Sequence, residues 1–288
     1  MALNIKPLTD ALGVEISGID LAGNIDDATF GAIEDAFNTY GVLVFRDQSL
    51  DPDVQVAFSR RFGALDIHVF DQWNHRKHPE ILVVSNVKEN GEYVGIPDAG
   101  TYWHTDLSYM DVPSRGSILH AIEIPVENGE ALGDTLFAST AAAYDALPKE
   151  KRRRIEGTEA VYSLAHRHAK LIADGDTSAI LAEDHAAKTP EVVHRIVQHH
   201  PVTGRPIIFV NEGHTARVVG MADDEGRALL DELCAFCTQP EFVYRHKWRV
   251  GDVVMWDNIQ TQHLALHDYD PPHRRYLHRT TLSGSPIA

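Results

Sequence analysis

Short apolar runs bounded by Gly, Pro or charge recur along the whole chain. Gly41-Val-Leu-Val-Phe45, Ile81-Leu-Val-Val-Ser-Asn-Val87, Ser117-Ile-Leu-His-Ala-Ile-Glu-Ile124, Arg205-Pro-Ile-Ile-Phe-Val210 and Val253-Val-Met-Trp256 are each four to eight residues long. Runs of that length with punctuation at both ends read as buried strands. Val14 to Leu21 reads as a strand or loop, and Tyr276 to Leu282 as the closing strand. Between them lie helical segments: Asp26 to Phe37 behind an acidic cap, Asp51-Pro-Asp to Gly63, Ala138 to Ile155, and Asp223 to Cys237. Arg249-Val-Gly-Asp252 between two β-like runs predicts a hairpin. There is no internal repeat and no linker-like tract. The pattern predicts one β-rich α+β domain over 1–288, with helices flanking the strands. Residues 165–190 are polar and weakly periodic, either a closing lid or a surface excursion.

Charge narrows the partners. Against 26 Lys and Arg stand 42 Asp and Glu, a formal charge of −16. Phosphate backbones need clustered positive charge, so no nucleic-acid partner is expected. No run approaches the roughly 20 apolar residues that span a bilayer, and the N-terminus lacks a basic-then-apolar leader. A cytoplasmic protein without a membrane partner is expected. Cys234 and Cys237 form a lone C-x-x-C inside an apolar 3–4 periodic segment, where they read as small hydrophobes.

Seventeen histidines matter only where a second donor stands at the right spacing. Trp103-His104-Thr-Asp106 supplies one: on a strand, residues i and i+2 project from the same face, so His104 and Asp106 lie side by side. That is two-thirds of the 2-His-1-carboxylate set that holds non-haem Fe(II). His263, His267, His273 and His278 are candidates for the third donor. On the last strand Arg275, Leu277 and Arg279 share one face, the two arginines about 13 Å apart along the strand. They call for anionic partners, either Asp or Glu in buried ion pairs or an anionic ligand.

These pieces together resemble the taurine dioxygenase/TfdA family of Fe(II)- and 2-oxoglutarate-dependent oxygenases. The resemblance runs through Leu12 to Leu21, Gly41-Val-Leu-Val-Phe-Arg-Asp-Gln48, Phe58-Ser-Arg-Arg-Phe-Gly63 and Trp103-His-Thr-Asp106. It continues through Gly133-Asp-Thr-Leu136, Phe209-Val-Asn-Glu-Gly213, Trp256-Asp-Asn258 and the His263, Arg275, Arg279 tail. It implies a double-stranded β-helix (jelly roll) core with flanking helices. It further implies iron ligands His104, Asp106 and His263, the last chosen because it ends the Trp-Asp-Asn-x-x-x-x-His motif. His267 is then expected behind the ligands or in the pocket wall. Thr135 and Arg275 would hold the far carboxylate of 2-oxoglutarate. Arg279, His68 and His214 would meet the primary substrate.

Three protein ligands on a six-coordinate ion leave room for 2-oxoglutarate and O2. By resemblance, 2-oxoglutarate is decarboxylated to succinate and CO2 while a small anionic substrate is hydroxylated: a sulfonate, aryloxyalkanoate, sulfate ester or carboxylate. Related halogenases lack the carboxylate, so Asp106 favours hydroxylation. Desaturation or another oxidation at the same iron is an alternative, as is a jelly-roll protein using zinc for hydrolysis or binding. Asp71, His214 and Gly100 depart from the sulfonate-using members and weigh against taurine itself; Ile259 and the extra residue near Asp270-Pro-Pro-His273 depart from the wider pattern. Family members commonly form dimers or tetramers, so a homo-oligomer is expected.

Overall fold

A computed structural model describes residues 3–68, 71–97, 99–175 and 181–287. Among the described residues the centre is a nine-stranded sheet. Its order is Asn4–Pro7, Val14–Ser17, Val42–Phe45, Val253–Asp257, Gly116–Glu123, Tyr276–Leu282, His78–Ser85 and Asn74–His75, with Leu65–Asp66 also beside Tyr276–Leu282. Only Val14–Ser17 and Val42–Phe45 run parallel. A three-stranded sheet of Val243–His246, Thr135–Ser139 and Thr261–Ala265 packs on one face of it.

The uninterrupted apolar runs follow from burial on both sides of the large sheet. Val42, Val44, Val254, Trp256, Leu119 and Leu277 face the small sheet, where they meet Phe137, Tyr244 and Trp248. Leu43, Phe45, Val253, Met255 and Ile118 face the other way, onto Ile33, Phe37 and Phe58 of two helices. Period-2 alternation therefore sorts apolar residues between two cores rather than between core and water. The first helix, Asp27–Tyr40, starts where Asp26 accepts from the Thr29 N–H at 2.7 Å and stops at Gly41, whose φ of 72° suits glycine. The second, Pro52–Arg60, is capped by Asp51 with Pro52 in its first turn.

Three expectations change. Val243–His246 and Val253–Asp257 are not a hairpin: the first pairs with Thr135–Ser139, the second with Val42–Phe45 and Gly116–Glu123. Arg249 to Asp252 is a corner between sheets, in which the Asp252 carboxylate binds Arg46, the His246 ring and the Arg249 N–H. Ala138 to Ile155 is not one helix either. It opens inside the Thr135–Ser139 strand and then forms Thr140–Ala146 and Lys149–Ile155, broken because Leu147 before Pro148 is extended. Finally, 165–190 holds two helices, Leu164–Ala173 and Glu183–Lys188, with 176–180 outside the described residues.

Asp223–Cys237 is a helix packed over a separate apolar cluster. Cys234 and Cys237 are free thiols in that packing, and burial pushes Cys234 up to about 12. No helix among the described residues is long and apolar enough to cross a membrane.

A second corner, 257–260, carries the chain from the large sheet to the small one. Asp257 is fully buried there; it binds Arg115, the His200 ring at 2.8 Å, the Ile259 N–H at 2.9 Å and the Gln260 amide at 3.1 Å. Burial alone would raise its carboxyl, but Arg115 and His200 outweigh that and bring it down to about 2. Asp257→Asn removes the charge that pairs with the buried Arg115 and is expected to cost about 3–5 kcal/mol in urea unfolding. Because the folded value lies below the unfolded one, the Asp257 contribution is present above the ordinary carboxylate range near 4 and is lost as pH falls toward 2. The variant's deficit in acid-range melts should therefore shrink with falling pH.

Candidate metal centre

His263 lies on Thr261–Ala265, opposite Phe137 of the neighbouring strand. Its ring is wedged between Trp256 and Phe137, centroids 4.8 and 6.1 Å away. His104 does not sit on a regular strand, contrary to the spacing argument. It forms an isolated antiparallel bridge with His263, with both backbone N–H groups donating to the other's carbonyl at 3.0 and 2.8 Å. The Thr105 hydroxyl adds a bond to the Thr261 carbonyl at 3.1 Å. Asp106 then enters a turn in which Leu107 has φ 55°. A bridge followed by a turn converges the two side chains, where a strand would have set them side by side.

The ligand atoms of His104, Asp106 and His263 all lie within 4.8 Å of one another and are buried. His104 Nδ1 meets the Tyr102 carbonyl at 2.8 Å, which assigns its proton there and leaves Nε2 facing Asp106 at 3.8 Å. His263 Nε2 is 4.0 Å from the same carboxylate. Burial lowers both imidazoles below 6.5, so neutral rings present lone pairs to one carboxylate, the donor set suited to a divalent transition metal. Gly100, with φ 78°, packs against His104: a Cβ there would come within 2.8 Å of the imidazole Cε1.

Asp106 is held from two sides. Its Oδ1 accepts from Arg279 Nη1 at 2.9 Å and its Oδ2 from the Ser117 hydroxyl at 2.7 Å. Burial opposes ionisation, yet the Arg279 charge, helped by the Ser117 hydrogen bond, keeps this carboxyl well below the usual range. Ser117 in turn accepts from the Asn258 amide at 3.3 Å, which also reaches the Ser114 hydroxyl at 2.9 Å. The Trp-Asp-Asn sequence thus supplies His263's ring neighbour, the corner carboxylate and the amide behind the metal-facing acid.

A narrow cavity opens beside the triad, lined by Thr135, Arg275, Arg279, Leu119 and Trp256. Arg275 is buried; its guanidinium meets the Gly133 carbonyl at 3.3 Å and Tyr269, with the Asp268 charge in range, while its Nε has no hydrogen-bond partner and no carboxylate forms an ion pair with it among the described residues. Gly133 has φ 73°, and a Cβ there would press on Tyr269 at 2.9 Å and Arg275 Nε at 3.2 Å. Thr135 accepts from Trp248 Nε1 at 3.0 Å. An indole N–H only donates, so the Thr135 oxygen is the acceptor and its own proton is free to point at a ligand in the cavity. Of the two ion pairs weighed for the arginines, Arg279 makes one, with Asp106, and Arg275 makes none.

On the other side stand the proposed substrate contacts. His214 is buried with both nitrogens engaged, Nδ1 with Ser108 at 3.1 Å and Nε2 with the Tyr102 hydroxyl at 3.3 Å. His68 is half-buried within electrostatic range of Arg279 and Asp106; burial first, then Arg279, lowers it to about 3. His267 is not in the wall: it is exposed and stacks on Tyr269. Ser117, Trp248 and Tyr102 were missed by the motif reading. Trp248 lies two residues beyond His246, the cross-strand partner of Thr135, so strand pairing is the signal that finds it.

Residues 4–281 match the family described as taurine catabolism dioxygenase TauD, TfdA family. The chain is 35% identical to an alpha-ketoglutarate-dependent 2,4-dichlorophenoxyacetate dioxygenase of Burkholderia sp. (strain RASC), covering 99% of this chain and 95% of that one. It is 34% identical to pentalenolactone F synthase of Streptomyces arenae, covering 96% and 93%. The crystal structure of AAD-2 in complex with Mn(II) and N-oxalylglycine matches with a TM-score of 0.83 and 31% identity, covering 99% and 98%.

Removing the bond behind the acid should loosen the centre without unfolding it. Ser117→Ala is expected to weaken Mn(II) binding about 10- to 100-fold in calorimetric titration. Unchanged affinity would mean Arg279 alone suffices to aim Asp106.

Proposed function

The chain belongs to the TauD/TfdA dioxygenase family, and from this we propose that His104, Asp106 and His263 hold its Fe(II) and that it hydroxylates a small organic acid. Bound Fe(II), 2-oxoglutarate and O2 supply the oxidation, in which 2-oxoglutarate is converted to succinate and CO2.

The observation that carries the reading is Arg275: a buried guanidinium with no carboxylate partner among the described residues, in the same cavity as the triad. A carboxylate-bearing co-substrate completes it, with the Thr135 hydroxyl as second donor. A zinc hydrolase would have no use for that pair. The protein's remaining tasks are positional. Ser117 and Arg279 aim Asp106, the Tyr102 carbonyl sets the His104 tautomer, and Trp248 sets the direction of the Thr135 hydroxyl.

We assign Arg279, His68 and His214 to the primary-substrate side, His214 acting through Tyr102 because its own nitrogens are occupied. The relative that acts on 2,4-dichlorophenoxyacetate supports an acidic substrate, and sulfonates, sulfate esters and other carboxylates share that chemistry. The two packed sheets support a jelly-roll core in one domain over 1–288. The Leu164–Ala173 and Glu183–Lys188 helices form the lid, since Arg167 lies over Tyr102 and His185 comes within electrostatic range of His68. The acidic balance of −16 speaks against a nucleic-acid partner, and from its family membership we take the chain to be a cytoplasmic homo-oligomer, a dimer or tetramer, without a membrane partner.

The test needs no substrate. Under anaerobic conditions, Fe(II)-loaded protein should develop a visible metal-to-ligand charge-transfer band on adding 2-oxoglutarate, and His263→Ala should not. Folded, metal-loaded wild-type protein without a band would sink the reading. In the same titration Trp248→Phe should bind 2-oxoglutarate about five- to tenfold more weakly, the value of one oriented hydrogen bond.

A further inference from the structure

We propose that Arg167 is the anion anchor of the primary-substrate site, and that the substrate's acid group lies against Arg167 and Tyr102 while its oxidised carbon faces the triad. The proposal rests on the oxygenase reading and adds to it the residue that selects an acid.

Arg167 belongs to the Leu164–Ala173 helix, which starts where the Ser163 hydroxyl accepts from the His166 N–H at 3.2 Å. Its guanidinium lies over the Tyr102 ring, 3.7 Å from the centroid. That ring is 4.8 Å from the His104 ring. Gly213 makes room for it, since a Cβ there would fall 2.0 Å from Tyr102 Cε2. Arg167 is therefore fixed one aromatic ring away from a metal-facing imidazole.

Its charge is the unbalanced one. Arg279 is matched by Asp106, and Arg275 belongs to the co-substrate cavity. One turn along the Arg167 helix, Lys170 reaches Glu212. Arg167 is half-buried, its Nε has no hydrogen-bond partner, and no carboxylate among the described residues pairs with it. The Tyr102 ring and a hydrogen bond to its hydroxyl compensate only part of the desolvation of a guanidinium, and its remaining N–H groups are left to meet an oxyanion.

The hydrogen bonds behind Tyr102 point the same way. The Asn211 amide oxygen accepts from the His214 backbone N–H at 2.8 Å, which assigns its Nδ2 as donor to Ser108 at 3.0 Å. Ser108 can then give its proton to His214 Nδ1, leaving the ring's proton on Nε2, toward the Tyr102 oxygen. The phenol accepts from His214 and keeps its own proton for a ligand. A guanidinium edge and a phenolic O–H, both donors awaiting an acceptor, suit a carboxylate, sulfonate or sulfate.

The experiment uses anaerobic Fe(II)- and 2-oxoglutarate-loaded protein, titrated calorimetrically with 2,4-dichlorophenoxyacetate, hexyl sulfate and, as uncharged controls, 2,4-dichloroanisole and hexanol. At least one acid should bind wild type more than tenfold tighter than its neutral control. Arg167→Gln should lose about 10- to 100-fold in affinity for that acid, Arg167→Lys less, with 2-oxoglutarate affinity within twofold of wild type as evidence of an intact fold. Equal acid affinity in Arg167→Gln would overturn the assignment. So would neutral controls that bind as well as the acids, or no acid binding to protein that shows the charge-transfer band. A missing band in wild type would instead bring down the oxygenase reading beneath it.

Discussion

The corner at Asp257 is the constraint on which the metal end of the molecule depends. There the chain leaves the large sheet and joins the small one, and the change of direction is held by a buried carboxylate with Arg115 and His200 as partners. The next residue, Asn258, reaches Ser114 and Ser117, and Ser117 reaches Asp106. Five residues further on, His263 closes the bridge to His104. A single turn thus sets the position of His263 and the orientation of Asp106. Such a chain of buried bonds is cooperative: fully satisfied it specifies one arrangement, and each missing member strands a polar group in a dry interior.

Three guanidinium groups surround the triad, with different assignments by local pairing. Arg279 is tied to the Asp106 carboxylate, Arg275 sits in the cavity against a carbonyl, and Arg167 lies on an aromatic face. An isolated buried cation costs several kcal/mol, so each needs a counter-charge, a π face or a ligand. In a chain of formal charge −16, three guanidinium groups around one centre set it apart from the acidic balance of the whole.

Residue type and spacing made only His104 and Asp106 legible as a pair; His263 stood among four candidate histidines and was singled out by the resemblance of Trp256-Asp-Asn to the family motif. The apolar runs were legible because both faces of the large sheet are buried, leaving no polar alternation to obscure them. What failed was local reading of long-range choices. Arg249-Val-Gly-Asp252 has hairpin chemistry, but Asp252 is claimed by Arg46 and His246, and the flanking strands go to different sheets. His104 and Asp106 were read as strand neighbours, whereas a lone bridge and a turn bring them together. Ser117, Trp248 and Arg167 had no motif to mark them, since each acquires its partner only through pairing or packing across more than 10 positions of chain.

Gly100 bears on how far such a centre is ordered in advance. Its missing side chain is the space that the His104 ring occupies, and its carbonyl is tied to the Ala265 N–H at 2.8 Å. With the Tyr102 carbonyl on the ring's other nitrogen, His104 is confined before any ion arrives. A cation bound there would have little rotamer entropy to remove from His104. The cost falls on substitution: in this backbone a Cβ at position 100 presses on the imidazole, so a side chain there requires the His104 ring or the Gly100 turn to shift.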